Sequence, residues 1–310
     1  MLAVEVVRAQ GIEVLGIFFE TPFFSSARAE QSAQIIHLPL KVLDITQPHL
    51  AVVKNPRYGY GGNMNPCIDC HALMLREAAE RLEAERAAFI LTGEVLGQRP
   101  MSQNLRALST VAARSGRPEL VLRPLSAKLL PPTLPEEKGW VPRDALLSFS
   151  GRGRKPQMAL AEAFGIKEYP SPAGGCLLTD PVFSRRLKDL LSSRPLCEVR
   201  EIELLKVGRH FRTGPGAKVV IGRNKKENEK ILSLAGDSDL IVKVESLPGP
   251  LVLVAGDVSQ HIENLAVDLA LSYSDAKDGE VGEVKLIREG TEQRRTASAR
   301  PKSEFQAFMI

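Results

Sequence analysis

The sequence predicts an α/β protein: a parallel-sheet domain that lacks its first strand, then a smaller α+β domain. Three observations predict this. Helix-period segments and dense apolar runs alternate through the first half, as in a parallel sheet with crossover helices. The chain opens inside a helix, not on the strand with which such a sheet begins. From about residue 198, short apolar runs separated by Gly and Pro turns take over.

Taken in order, residues 2–10 read as helix, and Gly11 stops it. Residues 12–19 (IEVLGIFF) are a dense apolar run, as expected of a buried parallel strand. A helix pattern lies around 26–34. Residues 35–45 (IIHLPLKVLDI) give a second strand, where Pro39 argues for an edge or a break. Residues 71–86 form a strong helix with charged and apolar faces. Residues 88–95 and 119–125 are the third and fourth strands. Leu130-Pro131-Pro132-Thr133-Leu134-Pro135 breaks regular structure and reads as a connector. Residues 156–165 and 182–193 read as helices, with a loop from Ser171 to Pro181 between them. EIELLKVGRHFRT, KVVIGR, LIVKVES and LVLVAGD form the β-rich part, and 258–273 a closing helix. The polar tail from about 275 reads as loose, with EVKLIRE able to form a short strand. The expected domains are 1–182, a linking helix at 183–197, 198–275, and the tail 276–310.

Composition narrows the class. Of 310 residues, 44% are hydrophobic and 25% charged, as in an ordinary globular protein. The four cysteines, at 67, 70, 176 and 197, are too sparse for a secreted disulfide scaffold. No run of 18 apolar residues exists, so no membrane span is expected. Glu5 and Arg8 interrupt any signal-peptide core, which places the protein in a reducing cytoplasm. The net charge of +4 is mild, but its distribution is uneven. Lys206, Arg209, Arg212, Lys218, Arg223, Lys225, Lys226 and Lys230 lie in one stretch, and Arg152, Arg154 and Lys155 in another. Such patches suit a phosphate backbone, or else a solvated surface.

Chemistry concentrates in two segments. Cys67-Ile68-Asp69-Cys70-His71 holds a Cys-x-x-Cys pair, and Ser171-Pro172-Ala173-Gly174-Gly175-Cys176 a distant third thiol. This pattern suits a metal, an iron–sulfur cluster, a redox couple or a sulfur carrier. C-x-x-C-H also satisfies the attachment motif of c-type haem, which needs export. Zinc through Cys67, Cys70, Cys176 and a histidine is a further reading. A thioredoxin-like pair is disfavoured, because the pair follows a Gly/Asn/Pro loop. Gly174 and Gly175 let the third thiol approach closely. Asp69 either polarises the site or caps the helix that follows. Cys197 reads as an inert buried thiol, and His37, His49, His210 and His261 as structural or surface residues.

Several segments together resemble the adenine-nucleotide α-hydrolase-like (PP-loop ATP pyrophosphatase) tRNA thiolases, which make 2-thiouridine or 4-thiouridine. Thr92-Gly93-Glu94-Val95-Leu96-Gly97-Gln98 with Ser102-Gln103 is similar to the TGExLGQxxSQ segment of 4-thiouridine synthetases. Asn65-Pro66-Cys67-Ile68-Asp69-Cys70 is similar to the first active-cysteine segment of 2-thiouridine synthetases, with Cys67 in place of an acidic residue. The resemblance covers roughly residues 1–180 and implies a HUP-like (Rossmann-like) domain. LLKVGRHFRTGPGAKVVIGRNKKENEKI resembles the RNA-binding module of NFACT-type proteins.

The resemblance implies ATP-dependent sulfur transfer to a tRNA uridine. Cys70 and Cys176 would be catalytic, together with Asp69. Cys67, Cys70 and Cys176 would hold a 4Fe–4S cluster, with zinc as the alternative. Otherwise Cys70 or Cys176 would carry a persulfide, the other cysteine resolving it as a disulfide, with a sulfur donor protein or sulfide as the source. Thr92, Gly93 and Glu94 would line the nucleotide site, with Phe18 near the adenine. Arg209, Arg212, Lys218 and Arg223 would contact tRNA phosphates. The family's SGGxDS loop grips the ATP pyrophosphate. Met1 aligns just after it, so the expectation is an N-terminally truncated gene model that binds ATP once the loop is restored. The other expectation is a non-catalytic tRNA- and metal-binding paralogue, or a sulfur-relay subunit.

Overall fold

The computed structural model describes residues 1–169, 175–212 and 216–310. It divides into two compact units, Met1–Thr179 and Asp180–Ile310. The first is α/β with small parallel sheets, and the second is built on an antiparallel sheet.

The first unit starts with α1 (Leu2–Arg8), which buries Ala3, Val4, Val6 and Val7. β1 (Gly16–Glu20) follows, then α2 (Ala27–Ile35) and β2 (Leu40–Asp44). The strands pair in parallel, from Gly16 against Leu40 to Glu20 against Asp44. The strand expected over 35–45 therefore begins only after Pro39, whose carbonyl accepts the Gly16 N–H. An unexpected helix, α3 (Thr46–Lys54), comes next, and Asp44 Oδ1 accepts the Thr46 N–H at 2.6 Å. α4 (Cys67–Ala79) begins on the Cys-x-x-Cys pair, directly after Pro66. β3 (Ile90–Leu91) leads to a second unexpected helix, α5 (Leu105–Arg114). The Asn104 side chain caps it by accepting the Ala107 N–H. β4 (Val121–Leu122) pairs in parallel with β3. The proline-rich stretch is not wholly irregular. It holds the short α6 (Leu134–Glu137), started by a Thr133/Glu136 capping box. α7 (Lys155–Ala163) closes the set. Val95, Leu122, Leu125, Val141 and Leu146 form one buried cluster with Ala3 and Val6.

The second unit opens on α8 (Pro181–Ser193), capped by Asp180, and α9 (Val199–Leu204). The start of EIELLKVGRHFRT is thus helix, not strand. A Glu198/Glu201 capping box starts that helix, and only β5 (Arg209–Phe211) of the segment joins the sheet. β6 (Ala217–Ile221), α10 (Lys225–Ser233), β7 (Leu240–Val244), β8 (Leu251–Gly256) and α11 (Gln260–Ser272) follow. The polar stretch after 275 is not loose. β9 (Val281–Arg288) and β10 (Thr291–Ser298) form a hairpin about Glu289-Gly290, both at positive φ, the turn geometry that matches strand twist. The strand order is β10-β9-β7-β8-β6-β5. α11 buries Leu265, Ala266, Leu269 and Ala270 in a core with Val219, Val242, Val254 and Leu286. The chain ends alongside β5, where the Ile310 N–H meets the His210 carbonyl.

Gly208, just before β5, has φ of +74, and a Cβ there would lie 2.6 Å from the Ile221 carbonyl oxygen. Both the conformation and the backbone contact oppose a side chain. Gly208→Ala is expected to cost unit 2 about 2 kcal/mol or more, read as a lowered urea midpoint.

Candidate functional site

Two places in the molecule carry the chemistry. The first is a thiol site in unit 1. Cys67 and Cys70 are one turn apart at the start of α4, so they share a helix face. Cys176 arrives from the segment before the turn Leu177–Thr179. That segment is tied down by Leu177 N–H to the Phe23 carbonyl (3.0 Å) and by Asn63 Nδ2 to the Thr179 carbonyl (2.8 Å). Ser171 to Gly174 lie outside the described residues. The three expected cysteines do come together: each lies within electrostatic reach of another. All are free thiols.

Burial pushes all three thiols up, Cys70 the furthest. Neighbouring Cys176, Cys67 and Asp69 push Cys70 in the same direction. Opposing forces act on the other two. The Arg99 charge lowers Cys67 and Cys176, the Asn65 and Ser102 side chains hydrogen-bond Cys67, and the Leu178 and Thr179 N–H groups donate to Cys176. The resting thiols are thus protonated, with cationic and N–H groups placed to receive charge. Among the described residues, no group of three or more His, Cys, Asp or Glu is arranged to hold a metal ion.

His49 is the neighbour that sequence reasoning assigned to structure or surface. Its Nε2 lies 2.9 Å from Cys70 Sγ, fully buried on α3. Burial lowers its pKa to about 4, so the ring is neutral. Phe23 and Phe24 meet it edge-on at 5.5 and 5.3 Å. Phe24 in turn meets Phe18 at 6.2 Å, so Phe18 joins an aromatic group beside the thiols.

Asp69 does not cap α4. It lies inside the helix, and its carboxylate accepts the Arg57 N–H (3.3 Å) and the Tyr58 N–H (2.9 Å) of the preceding loop. Its role here is to pin that loop.

Thr92, Gly93 and Glu94 follow β3. Gly93 is exposed, with open space beside its Cα. Glu94 faces inward: it accepts from His71 Nδ1 (2.9 Å), Arg123 Nε (2.9 Å) and Thr92 Oγ1 (3.1 Å). Burial alone would raise its pKa, but the His71 hydrogen bond and the Arg123 charge hold it at about 2. Its carboxylate oxygens are thus engaged by protein, and through His71 it braces the turn that carries Cys70.

The second place is the basic stretch of unit 2. Of the four expected phosphate contacts, three face carboxylates. Arg212 forks onto Asp189 at 2.6 and 2.9 Å, and Lys218 Nζ reaches the same carboxylate at 3.3 Å. Lys218 is 7% exposed, which removes it from the surface. Arg223 is paired with Glu227. Arg209 instead lies over the Tyr273 ring, 5.2 Å from its centroid. The sheet periodicity hid these pairings, because Asp189 comes from a different helix, α8.

The second unit is therefore a mixed module on an antiparallel sheet, with basic side chains along one end of its chain. Residues 208–309 match the NFACT protein RNA binding domain, which suggests RNA binding for this part of the chain. Among solved structures, the C-terminal of the fibronectin/fibrinogen-binding protein from Streptococcus suis is 14% identical. That match covers 78% of this chain and 100% of its own, with a TM-score of 0.29, too slight to bear on the fold. No curated protein matches the chain. None of these comparisons speaks for a thiolase in unit 1. Among the described residues, no helix is long and apolar enough to cross a membrane.

Proposed function

We propose that the protein transfers sulfur to a tRNA uridine, with unit 1 carrying the sulfur and unit 2 holding the RNA. The observation that carries this reading is the meeting of Cys67, Cys70 and Cys176 from segments far apart in sequence.

The chemistry runs through thiols. A sulfur donor protein or sulfide with an oxidant leaves a persulfide on Cys176, where Leu178 and Thr179 N–H groups and Arg99 favour the anion. The uridine carbonyl is activated as its adenylate by ATP, which calls for the SGGxDS loop absent from these 310 residues. The terminal sulfur attacks the ring carbon and AMP leaves. Cys70 then attacks Cys176 Sγ, its thiol proton leaving with the departing thiouridine anion, which forms a Cys70–Cys176 disulfide and releases the thiocarbonyl. A dithiol reductant returns two electrons. His49 and Asp69 position Cys70 and its loop. The donor set of three thiols is also soft enough for a 4Fe–4S cluster, but as placed the thiols form no metal-holding group, so Cys67, Cys70 and Cys176 would have to draw together to hold one and leave it an iron with no protein ligand.

The burial that keeps all three thiols protonated favours a second reading, an RNA-binding protein whose thiols are structural. One experiment separates the two. After incubation with a persulfide donor, mass spectrometry of the parent chain is expected to show one extra sulfur on Cys176 or Cys70. Cys176→Ser and Cys70→Ser should abolish the 2- or 4-thiouridine found in tRNA of cells that depend on this gene. A triple serine variant that supports full thiolation would overturn the proposal. Anaerobic reconstitution with iron and sulfide tests the cluster separately, by absorbance at about 400 nm.

A further inference from the structure

The RNA-binding module has many cations, and most are already neutralised. Arg212 and Lys218 face Asp189, Arg223 faces Glu227, Arg294 faces Glu245 and Arg295 faces Glu263. A carboxylate-paired cation attracts phosphate weakly, because the pair must be broken first. Arg209 and Lys302, like Lys226, Lys230, Lys243 and Lys277, form no ion pair among the described residues; what sets these two apart is that both lie over one ring. Arg209 Cζ is 5.2 Å and Lys302 Nζ 5.5 Å from the Tyr273 centroid.

We infer that Arg209, Tyr273 and Lys302 form a stacking ledge that takes an unpaired base of single-stranded RNA. The inference rests on the RNA-binding reading of unit 2 and names its contact surface. The three residues come from β5, the end of α11 and the chain's last turn, so the fold assembles them from distant sequence. The ring is held from beneath: fully buried Phe211 meets Tyr273 edge-on at 5.8 Å and 64°. Tyr273 itself remains half-exposed. A base stacks on the guanidinium plane that Tyr273 backs, and Lys302 meets the adjoining phosphate. Phosphate also relieves the repulsion between two cations sharing one ring. Paired bases in a duplex hide their faces, so the ledge selects single strands.

The test is fluorescence anisotropy of the full chain with a labelled mixed-sequence RNA, offered as a single strand and as a duplex. Arg209→Ala and Tyr273→Leu, which keeps apolar contact with Phe211, are expected to weaken single-strand binding about 5- to 100-fold. Lys302→Ala is expected to lower the salt slope by about one. Duplex binding should change little, and Arg294→Ala, at an arginine paired with Glu245, should leave single-strand binding near the parent value. Lys302 is exposed, so its variant keeps the test valid even if Tyr273→Leu unfolds. If the parent binds single strands and the ledge variants bind equally well, the ledge is wrong and the RNA-binding reading survives. If the parent binds no RNA at all, both fail.

Discussion

Glu94→Ala is expected to destabilise unit 1 by about 3–5 kcal/mol, a large share of a domain's usual 5–15 kcal/mol. Arg123 is 6% exposed, and its Nε rests on Glu94 while its Nη2 donates to the Leu108 carbonyl. Removing the carboxylate strands a buried guanidinium and leaves the Thr92 hydroxyl and the His71 Nδ1 without their acceptor. Glu94→Gln keeps the shape and loses the charge, so it should cost less. The same group sets an acid limit. Its pKa falls from an ordinary 4.5 to about 2 on folding. A depressed carboxylate contributes stability that is fully present above the unfolded value and disappears as pH falls through the folded one. About 3 kcal/mol should therefore be lost between pH 4.5 and 2, and the Gln variant should lack that slope. Urea unfolding at stepped pH reads both. A Glu94→Ala protein as stable as the parent would show that Arg123 is satisfied by other groups. A folded but weakened Glu94→Gln would also report on the thiol site, since Glu94 holds the residue next to Cys70.

How much of this was legible beforehand follows physical lines. Helices such as α1, α7, α8 and α11 were legible because an apolar stripe at helical spacing needs only local sequence. Strand lengths were not. Residues 88–95 look like a full strand, yet only Ile90 and Leu91 find a parallel partner, in Val121 and Leu122. α5 carries one local start signal, the Asn104 cap, which directly follows Ser102-Gln103. α9 is ambiguous in the sequence because apolar residues packed into EIELLKV suit strand and helix alike; the Glu198/Glu201 box is what decides. At the thiol site, the Cys-x-x-Cys spacing and the third cysteine announced themselves, and they meet. His49 did not, because 21 residues separate it from Cys70 and only the packing of α3 on α4 joins them. Tyr273 and Lys302 had no signal at all: each is ordinary alone, and the ring contact exists only in the folded sheet.

Lys218→Met is expected to stabilise unit 2, against the usual result of breaking a buried ion pair. The reason is the uneven count of charges around Asp189. Arg212 already satisfies that carboxylate with two hydrogen bonds, so losing Lys218 orphans no anion. Burial lowers the lysine from 10.5 to about 8, the pull of Asp189 notwithstanding, and nearby Arg212 and Arg186 push it the same way. For a cation so depressed, the folded state holds its proton less tightly than the unfolded chain. The penalty is therefore carried in full below pH 8 and lifts as pH rises from 8 to 10.5. Its size is on the order of 2–3 kcal/mol. Methionine keeps the unbranched stem that fills the space and discards the charge. Near pH 7 the variant's urea midpoint should exceed the parent's, and the gap should close as pH approaches 10.5. RNA affinity should not change, because the ammonium is sealed beneath the sheet, in contrast to Lys302 at the surface. A variant less stable than the parent would mean that Asp189 needs both cations. A variant of unchanged stability but weaker RNA binding would return Lys218 to the phosphate-contacting set that the basic stretch first suggested.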